Sequence, residues 1–274
     1  MDAVWVDGSM KPAGEPVVTA FDHGLLTGDG VFETLGIQGG RAFAIRLHLE
    51  RLARSAAAMG LDPPDAAVLR QAIADVIAAN GLAEGRLRIT VTGGSAPLGS
   101  DRGKGGCTTI VAAGPSPPWP PSADVTVVPW PRNERGALAG IKTTSYGENV
   151  VALAYARERG ASEAIFANTA GDLCEGTGSN VFVAIAGRLV TPPLSAGCLD
   201  GVTRRLVIRA AGAAEEDLPV SALAAADEAF LTSTTRDLQP IRAVDGAPLP
   251  ACPGPVTLAA RAAFADLVAR TTDP

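Results

Sequence analysis

Apolar positions recur along this chain with two different periods. Over 46–59, Leu49, Leu52, Ala53, Ala56 and Met59 return every three or four residues, which predicts an amphipathic helix. Val68, Leu69, Ala72, Ile73, Val76 and Ile77 repeat in the same way over 65–80, and Asn80-Gly81 supplies a C-terminal stop. RLRITVT alternates instead. Leu87, Ile89 and Val91 face one way and Arg88, Thr90 and Thr92 the other, as in a half-buried strand. Upstream, AVWVDG and PVVTA predict short strands before a turn at Asp22-His23-Gly24. VFETLGI and RAFAI predict a hairpin over Gly39-Gly40. Further along, ADVTVVPW, EAIFA, SNVFVAI, RLVTP and EAFLTS read as strands, and VVALAYARERG, 202–211 and 255–270 as helices. Strands and helices mixed throughout predict an α/β (α+β) fold.

The pattern breaks at Ser116-Pro117-Pro118-Trp119-Pro120-Pro121-Ser122. Prolines at this density exclude helix and inner strand and make a stiff extended linker. The predicted organisation is therefore an N-terminal α/β domain over 1–115, a linker over 116–122 and a C-terminal domain over 123–274.

Composition narrows the function classes. Hydrophobic residues make up 47% and charged residues 19%, which favours a packed core over disorder. A net charge of -6 argues against a general nucleic-acid binder. No apolar run reaches the ~18 residues that a bilayer span needs, and the opening residues do not resemble a signal peptide, so the expectation is a cytoplasmic protein. The cysteines (Cys107, Cys174, Cys198, Cys252) and histidines (His23, His48) have no metal-ligand spacing, so no metal is expected.

Of the 23 basic residues only Lys11, Lys104 and Lys142 are lysines. Lys11 sits in a polar turn and Lys104 in a glycine-rich loop, whereas Lys142 has apolar neighbours in LAGIKTTSYG. A primary amine in apolar surroundings is favoured in its uncharged, nucleophilic form. Nucleotide motifs fail. GDGVFE places Glu33 where a third glycine would stand, and SDRGKGG lacks the Ser or Thr of a phosphate loop. Other segments suit anions. Gly201-Val202-Thr203-Arg204 opens an apolar helix, and backbone N–H groups there, with a threonine hydroxyl, suit a phosphate. Ser233-Thr234-Thr235 ends a strand and offers more donors. Arg51 lies on the His48/Arg51/Ser55 side of its helix. Glu175 sits in DLCEGTGSNVF, read as a loop entering a strand, where a carboxylate could partner a protonated ring nitrogen.

GDGVFE, HLERL, KTTSYGEN, CEGTGSNVF, LDGVTR and FLTSTTRDLQPI, in that order, resemble the class IV, fold-type IV enzymes dependent on pyridoxal 5'-phosphate (PLP). The resemblance runs from about Trp5 to Pro240. It is nearest the branch of D-amino-acid transaminases and 4-amino-4-deoxychorismate lyases. It implies a small N-terminal domain, a larger C-terminal domain, PLP between them, and a homodimer. By resemblance, Lys142 is the Schiff-base lysine and proton shuttle, and Glu175 the partner of the ring nitrogen. Arg51, Gly201, Val202, Thr203, Ser233 and Thr234 resemble the phosphate cup. Leu199 resembles the residue packed on the ring, Tyr146 a tyrosine near the ring hydroxyl, and Ser179 and Asn180 the shapers of the pocket. Phe32, Thr34, Arg88 and Thr235 are candidate substrate contacts. Branched-chain enzymes have an arginine similarly placed in a YxRP segment, where this chain reads RLRI. The arginine-glycine pair usual in D-amino-acid enzymes is replaced by Gly93-Gly94, which leaves Arg88, Arg102, Arg132 or Arg135 to meet a substrate carboxylate. The implied activity is transamination between a small D-amino acid and a 2-keto acid. The lyase, branched-chain or R-amine transaminases, and a non-catalytic PLP binder stand as alternatives.

Overall fold

The computed structural model describes residues 2–62 and 65–274; Met1, Pro63 and Pro64 lie outside the described residues. The chain separates into two compact units. The first runs up to Pro117 and also takes in Ile141–Tyr146 and Thr272–Pro274. The second comprises Pro118–Gly140 and Gly147–Thr271. The division falls inside the proline-rich segment. The Lys142 segment, which lies within the expected 123–274 range, packs with the first unit.

The first unit is an antiparallel sheet backed by helices. Its strands are β1 (Ala3–Val6), β2 (Ser9–Pro12), β3 (Gly30–Gln38), β4 (Arg41–Ala42), β5 (Gly85–Thr92) and β6 (Thr108–Gly114), in the order β2-β1-β6-β5-β3-β4. The helices are α1 (His23–Leu26), α2 (Ile45–Ala58) and α3 (Ala66–Ala79). Gly39 and Gly40 both adopt positive φ, 55° and 75°, which a tight turn between β3 and β4 requires. The expected PVVTA strand is irregular and mostly exposed, because Pro16 has no N–H to pair and Ser9–Pro12 has already closed the hairpin with β1. Val31, Leu35, Leu87, Ile89 and Val91 from the sheet meet Leu49, Leu52, Leu69, Ile73 and Val76 from the helices in one core. Each such side chain, fully buried, stabilises the fold by about 1.5–3 kcal/mol before entropy is charged against it. Val68, expected to face inward, is 49% exposed, since it lies at the edge of the α3 stripe.

The second unit is a mixed sheet of β7 (Ala123–Val127), β8 (Glu163–Ala167), β9 (Leu173–Gly176), β10 (Asn180–Ile185), β11 (Arg188–Thr191), β12 (Ala214–Glu215), β13 (Glu228–Ser233), β14 (Asp237–Val244) and β15 (Ala247–Pro248). Its order is β12-β11-β10-β13-β14-β7-β8-β9, with β15 on β14. Helix α4 (Gly147–Glu158) packs on β8, and α5 (Val202–Ala211) packs on β13 and on α6 (Pro255–Arg270). Phe182 and Phe230 are cross-strand partners, and their rings stack 4.9 Å apart. Glu175, expected in a loop, belongs to strand β9 and pairs with Phe166 of β8.

Candidate active site

In the first unit, the Lys142 segment is seated on the opening of β3. Phe32 N–H donates to the Lys142 carbonyl at 2.9 Å. The Gly30 carbonyl accepts from Thr144 N–H at 2.8 Å and from Thr143 Oγ1 at 3.0 Å. The Gly28 carbonyl accepts from Thr144 Oγ1 and Ser145 Oγ, each at 2.9 Å. The glycines of GDGVFE are needed for this approach. A Cβ on Gly30 would lie 2.7 Å from the Val91 carbonyl and 2.9 Å from Thr144 Oγ1, and Gly28 has φ 70° with Ser145 Oγ 2.7 Å from where its Cβ would be.

Lys142 Nζ then lies 4.4 Å from the centre of the Phe32 ring. The Arg88 guanidinium lies 3.7 Å from the same ring, and Tyr146 meets it edge-on at 5.2 Å. Arg88 Nε also donates to Thr90 Oγ1 at 3.0 Å, which fixes the fork, and the crowding around it lowers the pKa of the guanidinium. Thr34 stands opposite Arg88 in the β3–β5 register. An amine and an oriented cation therefore share one aromatic ring.

On the other face of β3 lies a buried polar cluster. Glu33 accepts from Arg51 Nε and Nη2, both at 2.7 Å, and from His48 Nδ1 at 2.7 Å. Burial works to raise the Glu33 pKa, but Arg51 and His48 outweigh it and hold the carboxyl far below the usual range. Burial lowers the pKa of His48 despite the attraction of Glu33. An ionised Glu33 can only accept, so the neutral His48 ring carries its proton on Nδ1. Ser55, on the same stripe of α2, accepts from Lys142 N–H at 3.4 Å. The charge of Arg51, expected to face phosphate, is thus matched within its own unit. The sequence alone gives Glu33 no role, because GDGVFE presents it only as a failed glycine position. Its place among the apolar positions of an alternating strand was the available signal.

The second unit gathers the other expected residues. Glu175 Oε2 accepts from Leu199 N–H at 2.8 Å, and Oε1 lies 3.4 Å from Arg132 Nε, close enough for charge attraction but without hydrogen-bond geometry. Asn180 Nδ2 donates to the Leu199 carbonyl at 2.8 Å, and Gly201 packs so tightly that a Cβ would lie 2.0 Å from Asn180 Oδ1. These contacts pin the loop that opens α5. The Gly201 cap offers no side-chain acceptor, and the first turn of α5 holds no acidic residue of its own. Asp200, just outside, is tied to Arg205. Thr203 is buried in the same turn, and the Thr232 hydroxyl, cross-strand from Asn180, is buried with no hydrogen-bond partner. Ser233 ends β13, and Thr234 and Thr235 form the turn into β14. This donor set fits a phosphate, and Glu175 fits a protonated ring nitrogen.

Other expected residues are committed elsewhere. Ser179 Oγ donates to buried Glu163 at 3.1 Å. Arg102 grips Asp29 with Nε at 2.5 Å and Nη2 at 2.6 Å, and Arg132 holds Glu148 and Asn149 as well as facing Glu175. The Arg135 side chain is 87% exposed beside Glu134. Of the four arginines weighed for a substrate carboxylate, Arg88 alone shares its immediate surroundings with Lys142. Among the described residues no His, Cys, Asp and Glu cluster could hold a metal ion, and no helix is long and apolar enough to cross a membrane.

The fold is that of solved aminotransferases. The branched-chain aminotransferase of Thermoproteus uzoniensis, determined with norvaline, matches with a TM-score of 0.90 and 33% identity over 97% of this chain and 94% of that one. The Escherichia coli branched-chain enzyme matches with a TM-score of 0.92 and 28% identity over the same shares. Among curated relatives, a putative branched-chain-amino-acid aminotransferase of Methanocaldococcus jannaschii is 32% identical, over 89% of this chain and 88% of its own length. D-alanine aminotransferase of Bacillus licheniformis is 32% identical over 93% of each chain. A bifunctional aminodeoxychorismate lyase / D-amino acid transaminase of Mycobacterium tuberculosis is 32% identical, over 91% of this chain and 93% of its own. The family model for amino-transferase class IV covers residues 30–244. The chain belongs to the class IV aminotransferases, which are PLP-dependent enzymes.

Proposed function

We propose that the protein is a transaminase that moves an amino group between a small D-amino acid and a 2-keto acid. The observation that carries this reading is the grouping of Lys142, Arg88 and Tyr146 around the Phe32 ring. When bound, PLP supplies an electron sink for a carbanion at the substrate Cα. Lys142 would hold the cofactor through its amine and, once released by the incoming amino group, would take and return the substrate Cα proton. Arg88 pairs with the substrate carboxylate through its planar fork. Phe32, Thr34 and Thr235 are read as contacts to the substrate. Glu175 would accept a hydrogen bond from ring N1, with the Arg132 guanidinium 3.4 Å from its other oxygen. The first turn of α5, with the Thr203, Ser233 and Thr234 hydroxyls, takes the phosphate. Arg51 belongs to the same set, with its charge balanced by Glu33. Leu199 packs on the ring, and Asn180 holds the Leu199 loop. The D-alanine relative supports the stereochemical side of this reading. A cytoplasmic homodimer accompanies it.

A second reading, L-branched-chain donors, is favoured by the position of Arg88 within β5 and by the Methanocaldococcus relative. The assay follows the visible absorbance of the holoprotein with D-alanine, L-leucine or aminodeoxychorismate in separate cuvettes. D-alanine is expected to bleach the band and 2-oxoglutarate to restore it. Preference for L-leucine would replace the D-specific reading with the second. Release of pyruvate and 4-aminobenzoate, without a response to either amino acid, would make the enzyme a lyase.

A further inference from the structure

FLTSTTRDLQPI contains a residue to which the proposed reaction gives no part. Arg236 closes the turn between β13 and β14 directly after Thr234 and Thr235, and its side chain is only 6% exposed. Its guanidinium is engaged on three sides. Nη2 donates to Glu163 Oε2 at 2.8 Å, Nη1 donates to Gln239 Oε1 at 2.6 Å, and the Trp119 ring lies 3.7 Å from Cζ. Gln239 in turn donates to the Pro120 carbonyl at 2.8 Å. The turn is thereby tied to the proline-rich segment of its own unit.

Glu163 extends the network. Its carboxylate, fully buried, also accepts from Thr177 N–H at 3.1 Å, from the Thr177 hydroxyl and from Ser179 Oγ at 3.1 Å. One carboxylate therefore joins the β13–β14 turn to the strand-leading segment that ends in Asn180. Such an arrangement is a poor route to stability, because apolar replacements of buried ion pairs are often neutral or stabilising. It is an effective way to hold a short turn still. Hydrogen-bond donors to a ligand work only when their support fixes them to within about 0.5 Å.

We infer that Arg236 is a positioning residue that fixes the Ser233–Thr235 turn as a donor to the cofactor phosphate, by tying it to Glu163 on one side and Trp119 on the other. This rests on the reading of that turn as part of the phosphate site. The planar fork matters as much as the charge, since a lysine can keep one bond to Glu163 but not the bond to Gln239 or the stack on Trp119.

The test uses holoprotein with Arg236→Gln, Arg236→Lys, Trp119→Ala and, as a probe of the underlying reading, Thr234→Val. PLP release is timed during dialysis against phosphate-free buffer, the 31P resonance of bound PLP is recorded, and apoprotein melting is measured beside them. Arg236→Gln is expected to speed release by about tenfold or more. Arg236→Lys and Trp119→Ala should shift release in the same direction by less, with a moved or broadened 31P line and unchanged apoprotein melting. If Thr234→Val releases PLP quickly while Arg236→Lys and Trp119→Ala match the wild type in rate and 31P line, the positioning role is wrong and the phosphate reading stands. If Thr234→Val also matches the wild type, the turn is no phosphate donor and both ideas fall. Should Arg236→Gln fail to fold, the lysine and Trp119 variants decide alone. Faster release matched by an equal loss of apoprotein stability in those two would overturn the inference.

Discussion

Arg88 and Lys142 flank the same aromatic ring, yet their substitutions should read out differently. Removing Arg88 takes away the proposed carboxylate partner and leaves the amine and the proposed phosphate donors in place. Arg88→Met is therefore expected to raise KM for the amino donor by about 10- to 100-fold, the equivalent of the ~1.5–3 kcal/mol of a charged hydrogen bond. PLP release should stay at the wild-type rate. Steady-state kinetics with the preferred amino acid checks this, and an unchanged KM would move the carboxylate contact elsewhere. At this scale the sequence was uneven. Lys142 stood out because lysine is rare here and its neighbours are apolar. Arg88 stood out through the alternation of β5. Arg102 and Arg132 could not be separated from it, because their engagement with Asp29 and Glu175 depends on residues 73 and 43 positions away, contacts that no local pattern encodes. Glu163 and Arg236 were hidden for the same reason.

At the scale of elements, β3 does more than any other to place the chemistry. One of its faces presents Phe32, the other Glu33, and its first carbonyl receives Thr143 and Thr144. Gly30→Ala should test that seating. The new Cβ would meet the Val91 carbonyl and Thr144 Oγ1 inside normal contact, so the Lys142 segment must shift. A shift near 1 Å can cost on the order of 100-fold in rate, whereas overpacking of this kind costs about 1–3 kcal/mol in stability. The expected result is a kcat lowered by about 100-fold in a protein that still melts cooperatively. A kcat within about twofold of wild type would show that the segment tolerates the displacement. Periodicity makes α2, α3, α5, α6 and β5 legible in the sequence. It missed β6, whose small residues Ala112, Ala113 and Gly114 blur the alternation, and β14, where Pro240 argues against a central strand. Glu175 looks like a loop residue in the sequence because β9 is short and sits among glycines.

One buried cluster, Glu33 with His48 and Arg51, gives the molecule an acid sensitivity that can be traced to named groups. Folding places His48 and Glu33 where each holds fewer protons than in the unfolded chain. The folded pKa of His48 lies below its ordinary value of 6.5, chiefly through burial. That of Glu33 lies below 4.5, because Arg51 and His48 overcome the opposing effect of burial. For a depressed folded pKa the stabilisation is complete above the unfolded value and is lost as pH falls toward the folded one, because there the unfolded chain takes up the proton and the native state does not. His48 should therefore begin to weaken the fold as pH drops through 6.5, by up to about 1.4 kcal/mol per pH unit, and Glu33 should add to this below 4.5. His23 is the other histidine, so a variant is needed to assign the slope. His48→Asn keeps a side-chain donor near Glu33 but cannot titrate. Urea midpoints of the holoprotein, measured from pH 7.5 down to 4, should fall between 6.5 and 5 in the wild type and stay level there in His48→Asn, with both declining below 4.5. Any linkage through the bound cofactor is common to both proteins and cancels in the difference. Parallel curves for the two would remove His48 as the source and leave the acid response to the carboxylates.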